Sequence, residues 1–178
     1  MHQYQILTLA AALACSTTTV AESFRSAANR FSVNYIAPWK AISLPDPSGE
    51  LFLLCDERDC GPKVLLSFGA YLEPALKAGK LADFLAHAKG EVIVQNVRTA
   101  AGVAKVSVLK EGRTRLGAVE AYEVLAEITL QSGQRRLRHT FITFDSGHVY
   151  NVSLGCAPEL HAGALGKAQA VLATFRIK

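Results

Sequence analysis

The sequence predicts an α+β domain in which helices flank an antiparallel sheet, and three observations carry the prediction. From Glu91 to Cys156 apolar residues recur with a period of two, in runs whose last three are separated by Ser132-Gly133 and Asp145-Ser146-Gly147 at hairpin spacing. After Pro158 the period changes, and Leu160, Ala164, Leu165, Ala168, Val171, Leu172 and Phe175 form a stripe at helical spacing. Half of the 178 residues are apolar and 19% are charged, which suits a folded globule and not a disordered tail.

The chain opens with an apolar run, Ile6 to Ala14, that halts at Cys15 and a small, uncharged Ser/Thr/Ala stretch. A spanning helix needs roughly 20 apolar residues, so the run reads as the core of an export signal. Two processing outcomes are open. Cleavage after Ala21 makes 1–21 a signal peptide and leaves a soluble periplasmic domain. Cleavage before Cys15 makes 1–14 the leader and Cys15 the lipidated first residue of a membrane-anchored lipoprotein, with the polar stretch that follows, 22–30 included, as a tether. Residues 31–178 then form a single domain, long enough to bury a core.

Within that domain, Phe31 to Ile36 alternates and ends at Pro38-Trp39, which predicts a first strand and a turn, with a second turn at Pro45 to Gly49. Leu51 to Cys55 and Val64 to Tyr71 are apolar runs joined by Asp56-Glu57-Arg58-Asp59, a hairpin with Cys55 and Cys60 at its mouth. Pro74 opens a helical region, read either as one segment or as a turn and a helix from about Leu81 to Lys89 split at Gly79, and Gly90 caps it. Five strands follow: Val92 to Arg98, Val103 to Lys110, Ala118 to Leu130, Arg135 to Phe144 and Val149 to Cys156. Along the third of these, Tyr122, Val124, Ala126, Ile128 and Leu130 share one face while Glu123 and Glu127 take the other. The last helix begins at Pro158.

This order resembles the PsbP/DcrB-like superfamily, which includes the Mog-type import factors. The residues that carry the resemblance are the opening strand and Pro-Trp turn (Phe31 to Trp39), Leu81-Ala-Asp-Phe-Leu85, the meander after Gly117-Ala-Val-Glu-Ala-Tyr122, and the closing Ala170-Val-Leu-Ala-Thr-Phe-Arg-Ile177. The resemblance implies a curved antiparallel sheet of about six to eight strands, flanked by helices, in exported proteins that bind and assemble and do not catalyse. It supplies no active site to carry over.

The chemistry-bearing residues point the same way. Cys55 and Cys60 bracket a tight turn and are expected to form a disulfide in an oxidising compartment. Cys55, Cys60, Cys156 and His161 would otherwise make a three-Cys, one-His zinc set, but the disulfide removes two ligands, so no metal and no cofactor is expected. Cys156 as a nucleophile would need a positioned base, and His148 and His161 are near in sequence without an acid or oxyanion motif; His2 lies in the signal, and His87, His139, His148 and His161 share no ligand spacing. Arg135, Arg136, Arg138 and His139 form a basic stripe that Glu123 and Glu127 of the preceding strand are expected to neutralise across a solvent face. With a net charge of +4 and no recognition helix or stacking platform, nucleic acid is not a partner.

The expected function is therefore that of a non-enzymatic envelope protein that engages another protein, in one version as an immunity protein against a secreted toxin. The acidic loop Asp56, Glu57, Arg58 and Asp59, pre-ordered by its disulfide, or the adjoining sheet surface is the expected contact. A carrier of a small apolar ligand between sheet and helix, and a hydrolase using Cys156, are the alternatives.

Overall fold

The computed structural model describes residues 21–42, 49–73, 81–87 and 90–178. The leader with Cys15 and His2, most of the turn Pro45 to Gly49, and the helix opening at Pro74 with Gly79 lie outside these residues.

Among the described residues, ten strands form two antiparallel sheets. The larger has seven strands in the order β3 (Trp39–Ile42), β4 (Leu51–Cys55), β5 (Leu65–Leu72), β9 (His148–Cys156), β8 (Arg135–Asp145), β7 (Val119–Leu130) and β6 (Val103–Leu116). The smaller orders β1 (Glu22–Ser26), β2 (Phe31–Tyr35) and β10 (Arg176–Ile177). Between β4 and β5 sits the single-turn helix α1 (Glu57–Cys60). α2 (Leu81–His87), α3 (Gly90–Ile93) and α4 (Gln95–Arg98) precede β6, and a 3₁₀ turn at Pro158–Leu160 leads into α5 (His161–Leu172). The hairpin, the three-strand meander and the last helix thus form where the sequence predicts them.

Strand alternation sends side chains to two faces, and each face has its own cover. On one face, Leu53, Leu66, Phe68, Tyr150, Val152, Leu154 and Phe141 pack against α5 and the small sheet, which add Ala164, Ala168, Val171, Phe31, Val33 and Phe175. On the other, α2 places Leu81 and Phe84 on Ile142, Phe144 and Val149, while Val94 packs with Val106, Val124 and Ala126.

Four expectations need correction. Glu22–Ser26, read as tether, is strand β1, paired with β2 from Glu22↔Tyr35 to Ser26↔Phe31; the Tyr35 hydroxyl donates to the Glu22 carboxylate at 2.8 Å, so polar residues are used in pairing. Val92 to Arg98, read as a strand, belongs to α3 and α4, because Ile93, Val94 and Val97 bury together only when wound into helical turns over β6 and β7. Gly90 does not cap the preceding helix but opens α3: its N–H donates to Glu111 Oε2 at 2.7 Å, and a Cβ there would collide with that carboxylate. β6 runs on to Leu116 past a bulge between Val108 and Lys110, which leaves Leu109 out of the ladder and 56% exposed.

Candidate functional site

Four neighbourhoods hold the chemistry-bearing residues. The first is the capped hairpin mouth. Cys55 and Cys60 are disulfide-bonded, and Cys60 is buried in the main core. Asp56 is the N-cap of α1: its carboxylate accepts from the Arg58 N–H at 3.1 Å and pairs with Lys40 Nζ at 3.1 Å. These bonds, that to Lys40 foremost, pull its carboxyl down to about 2. Lys167 of α5 donates to the Asp59 carbonyl, and Leu160 lies over Gly61, so the loop is clamped to the last helix. Of the expected contact residues, Asp56 is thus spent on structure, while Glu57, Arg58 and Asp59 are exposed.

The second is Cys156, which is free and fully buried, its thiol pushed up to about 11 chiefly by burial. Both thiols that a zinc set would share with it are in the disulfide. Among the described residues no three His, Cys, Asp or Glu side chains are arranged to hold a metal ion.

The third is a hydrogen-bonded chain that sequence spacing does not disclose. His139 Nε2 lies 3.1 Å from Glu123 Oε2, His139 Nδ1 lies 3.2 Å from His161 Nε2, and Lys110 pairs with the other Glu123 oxygen. Burial lowers the pKa of His139 more than Glu123 raises it, and burial lowers that of His161 too. With both imidazoles neutral, His161 Nε2–H donates to His139 Nδ1, and His139 Nε2–H donates to Glu123. Burial alone would raise the Glu123 carboxyl, but hydrogen bonds from Lys110 and His139 outweigh it and hold the group ionised. His148 lies elsewhere on β9, its Nδ1 buried without a partner among the described residues; the side chain of His87 lies outside what is described.

The fourth is the part of the sheet that neither α2 nor α3 and α4 reaches. Cross-strand registers place Lys40, Leu54, Leu65, Gly155 and Arg138 in one row, and Ile42, Phe52, Ser67, Ser153 and Thr140 in the next. Ile42, Leu54 and Tyr71 on this face are 38%, 39% and 50% exposed. Two adjoining hollows of about 230 and 310 Å³ open on it, sharing Phe52, Ser67 and Arg138.

This geometry also divides the basic stripe. Arg135 pairs with Glu127 at 3.3 Å and His139 with Glu123, as expected of cross-strand neighbours on one face. Arg136 and Arg138, one residue out of phase, lie on the opposite face, where neither glutamate reaches them. Arg138 Nε donates to Ser153 Oγ at 3.3 Å. A period-two reading of β8 would have separated these residues.

No family model and no curated protein matches the sequence. Among solved structures, the chain is similar to the solution structure of cyanobacterial PsbP (CyanoP) from Synechocystis, with a TM-score of 0.61, 14% identity, and coverage of 92% of this chain and 97% of that one. Looser likenesses include a crystal structure from Bacteroides thetaiotaomicron (TM-score 0.49, 14% identity, 84% of this chain and 45% of that one). Another is the immunity protein TplEi of T6SS from Pseudomonas aeruginosa (TM-score 0.40, 15% identity, 84% and 46%). These two scores are too low to bear on function. What the PsbP likeness shares over nearly the whole of both chains is the path of the backbone, and on that ground this chain has a PsbP/DcrB-like fold.

Proposed function

We propose that this chain is a non-catalytic protein of the bacterial cell envelope that engages a protein partner through the uncovered face of its sheet. The observation that carries the reading is the apolar group on that face: Ile42, Leu54 and Tyr71 stand exposed beside Phe52 and Leu65, where a solvated sheet face is ordinarily polar. The acidic loop borders it through the Lys40–Asp56 pair, leaving Glu57, Arg58 and Asp59 as a charged rim. Envelope placement rests on the leader, by cleavage after Ala21 or lipidation of Cys15. Among the described residues, no helix is long and apolar enough to cross a membrane.

The non-catalytic part has its own support. Cys156 is sealed in the core as a protonated thiol. The chain Glu123–His139–His161 has the order of an orienter and a base, but the group it leads to is a second imidazole in place of a hydroxyl or thiol. In the immunity version the partner is a secreted toxin, and a neighbouring gene for such an effector would be its sign.

Affinity capture by the full chain from its own envelope tests the reading. A protein retained by the wild type and lost from Leu54→Glu with Tyr71→Glu, the doubly substituted chain still folded, is the expected result. Equal retention by that variant, or turnover of ester, peptide or glycan substrates that vanishes in Cys156→Ala, would overturn it. The small-ligand alternative gains support at a different place from the sheet–helix interface, namely the hollows of the same face.

A further inference from the structure

The larger hollow of the uncovered face combines features that the protein-partner reading leaves unused. It measures about 310 Å³ and is lined by Phe52, Leu65, Ile128 and Gly155 together with Arg136 and Arg138. The two arginines are two residues apart on β8 and therefore share a face. Neither has a carboxylate partner among the described residues. Arg138 is largely buried and, of its five N–H donors, uses only Nε, on Ser153. Its two terminal nitrogens are not among the sealed, unpartnered atoms, which are His148 Nδ1 and Tyr150 Oη alone among the described residues, so they keep access to solvent where Arg138 lines the two hollows. Among the described residues, no acid lines this hollow. Glu50 lines the neighbouring one and lies over Gly69, beyond ion-pair distance of Arg138.

A half-buried guanidinium without a counter-ion is costly unless an anion completes it. The planar fork of its two terminal nitrogens matches the two oxygens of a carboxylate. Beside it, opposite Arg138 on β9, Gly155 leaves the floor of the hollow open: a Cβ there would meet nothing within 4 Å. The walls are apolar, so a singly charged head on an apolar tail fits better than a dianion, whose desolvation would cost more.

We propose that this hollow is a binding site for a small amphiphile bearing one carboxylate, its head on Arg138 beside Arg136 and its tail over Gly155, Leu65 and Phe52. The inference rests on the small-ligand reading of this face and is independent of a protein partner.

The test titrates the full chain with sodium decanoate, decanol, decyl phosphate and decyltrimethylammonium below their micelle concentrations, read by calorimetry and by the arginine Nε–H resonances. Decanoate should bind at one saturable site, at least tenfold more tightly than any of the other three, and should shift the Arg138 resonance. Arg138→Gln should weaken it at least tenfold. Because removal of a half-buried arginine can disturb the fold, Gly155→Val serves as the second variant: it fills the hollow from a strand position with open space, so it should abolish binding at unchanged melting temperature. Absence of saturable decanoate binding, equal binding of decanol or the ammonium, tighter binding of decyl phosphate, or full binding by folded Gly155→Val would each overturn the proposal. Capture of a partner protein without decanoate binding would sink this site and leave the proposed function standing. Decanoate binding without capture would do the reverse.

Discussion

The two faces of the seven-stranded sheet are built from the same strands and meet different fates. Toward α5, the rings of Phe31, Phe68 and Phe175 stack at 5.8 to 6.5 Å with Tyr150 set edge-on, and all four are at most 1% exposed. On the other face, Phe52 and Leu54 of β4 and Leu65 and Tyr71 of β5 are half-covered or open. Apolar content does not distinguish the faces. What distinguishes them is how far another element of the chain lies on top: α5 and the small sheet seal the first face, whereas α2, α3 and α4 cover the second over β6 to β9 and leave the apolar side chains of β4 and β5 there in reserve.

Truncation at matched positions measures that difference most sharply. Phe175→Ala removes a ring that touches Phe31, Phe68 and Tyr150 in a sealed cluster, and should cost about 3–5 kcal/mol. Phe52→Ala removes the same group from the uncovered face and should cost about 1 kcal/mol or less. Denaturant titration of both variants checks this, and similar losses would mean that the second face is covered after all.

The hairpin mouth belongs with the covered face, since Cys60 is in its core and Lys167 of α5 holds the loop. Opening a disulfide that spans about six residues should cost roughly 2 kcal/mol on the chain-entropy estimate. Comparing unfolding with and without reductant, and in Cys55→Ser with Cys60→Ser, gives the number. Modification of both thiols in unreduced protein would remove the staple.

The chain Glu123–His139–His161 ties β7 and β8 to the start of α5 and should make the covered face sensitive to pH. Both imidazoles have folded pKa values below their ordinary one, so the unfolded state binds more protons and protonation favours it. Stability from this source is complete above about pH 6.5 and is lost as the pH falls through the lowered folded values. The loss should be smaller than that from opening the disulfide. Thermal melts between pH 7.5 and 5 should show the decline, and His139→Gln should flatten it; a melting temperature that rises on acidification would contradict the assigned protons.

Covered regions were more legible in the sequence than the open one, for physical reasons. The meander and the last helix announce themselves because their apolar periods match the faces they bury, as Val152, Leu154 and Ala168 do. β6 is legible only as far as its bulge, because the unpaired Leu109 puts the alternation out of phase. α3 and α4 are hidden because Val92-Ile93-Val94 is β-branched and tertiary packing overrides its strand preference; the i, i+4 pair Ile93 and Val97 was the available signal. β10 owes its existence to β2, a partner distant in sequence, and β1 pairs with the adjacent β2 through largely polar residues, which an apolar pattern does not mark. The uncovered face was illegible because Leu51 to Cys55 is apolar at every position, and an all-apolar strand reads as buried on both sides. The disulfide was visible from spacing and compartment. The split of Arg136 and Arg138 from Glu123 and Glu127 required applying period two to charges as well as to apolar residues.

The smallest expected effect lies on the uncovered face and decides what it is for. Leu54 and Tyr71 keep 39% and 50% of their surface in water. Leu54→Ser and Tyr71→Ser therefore forfeit only the buried fraction of each side chain, at roughly 25 cal/mol per Å², and also relieve apolar surface that the unpartnered chain exposes. Each should change stability by about 1 kcal/mol. A core position treated alike, such as Leu66→Ser, would suffer both a cavity and an unsatisfied hydroxyl. If the face serves only as a solvated sheet surface, the two serine variants should be silent in every measurement beyond that loss. If it is a docking surface, they should weaken capture of the partner while losing no more stability than that, because hot-spot side chains act on the complex more than on the free fold. Loss of stability well beyond that amount would instead show that Leu54 and Tyr71 are already packed in the free protein.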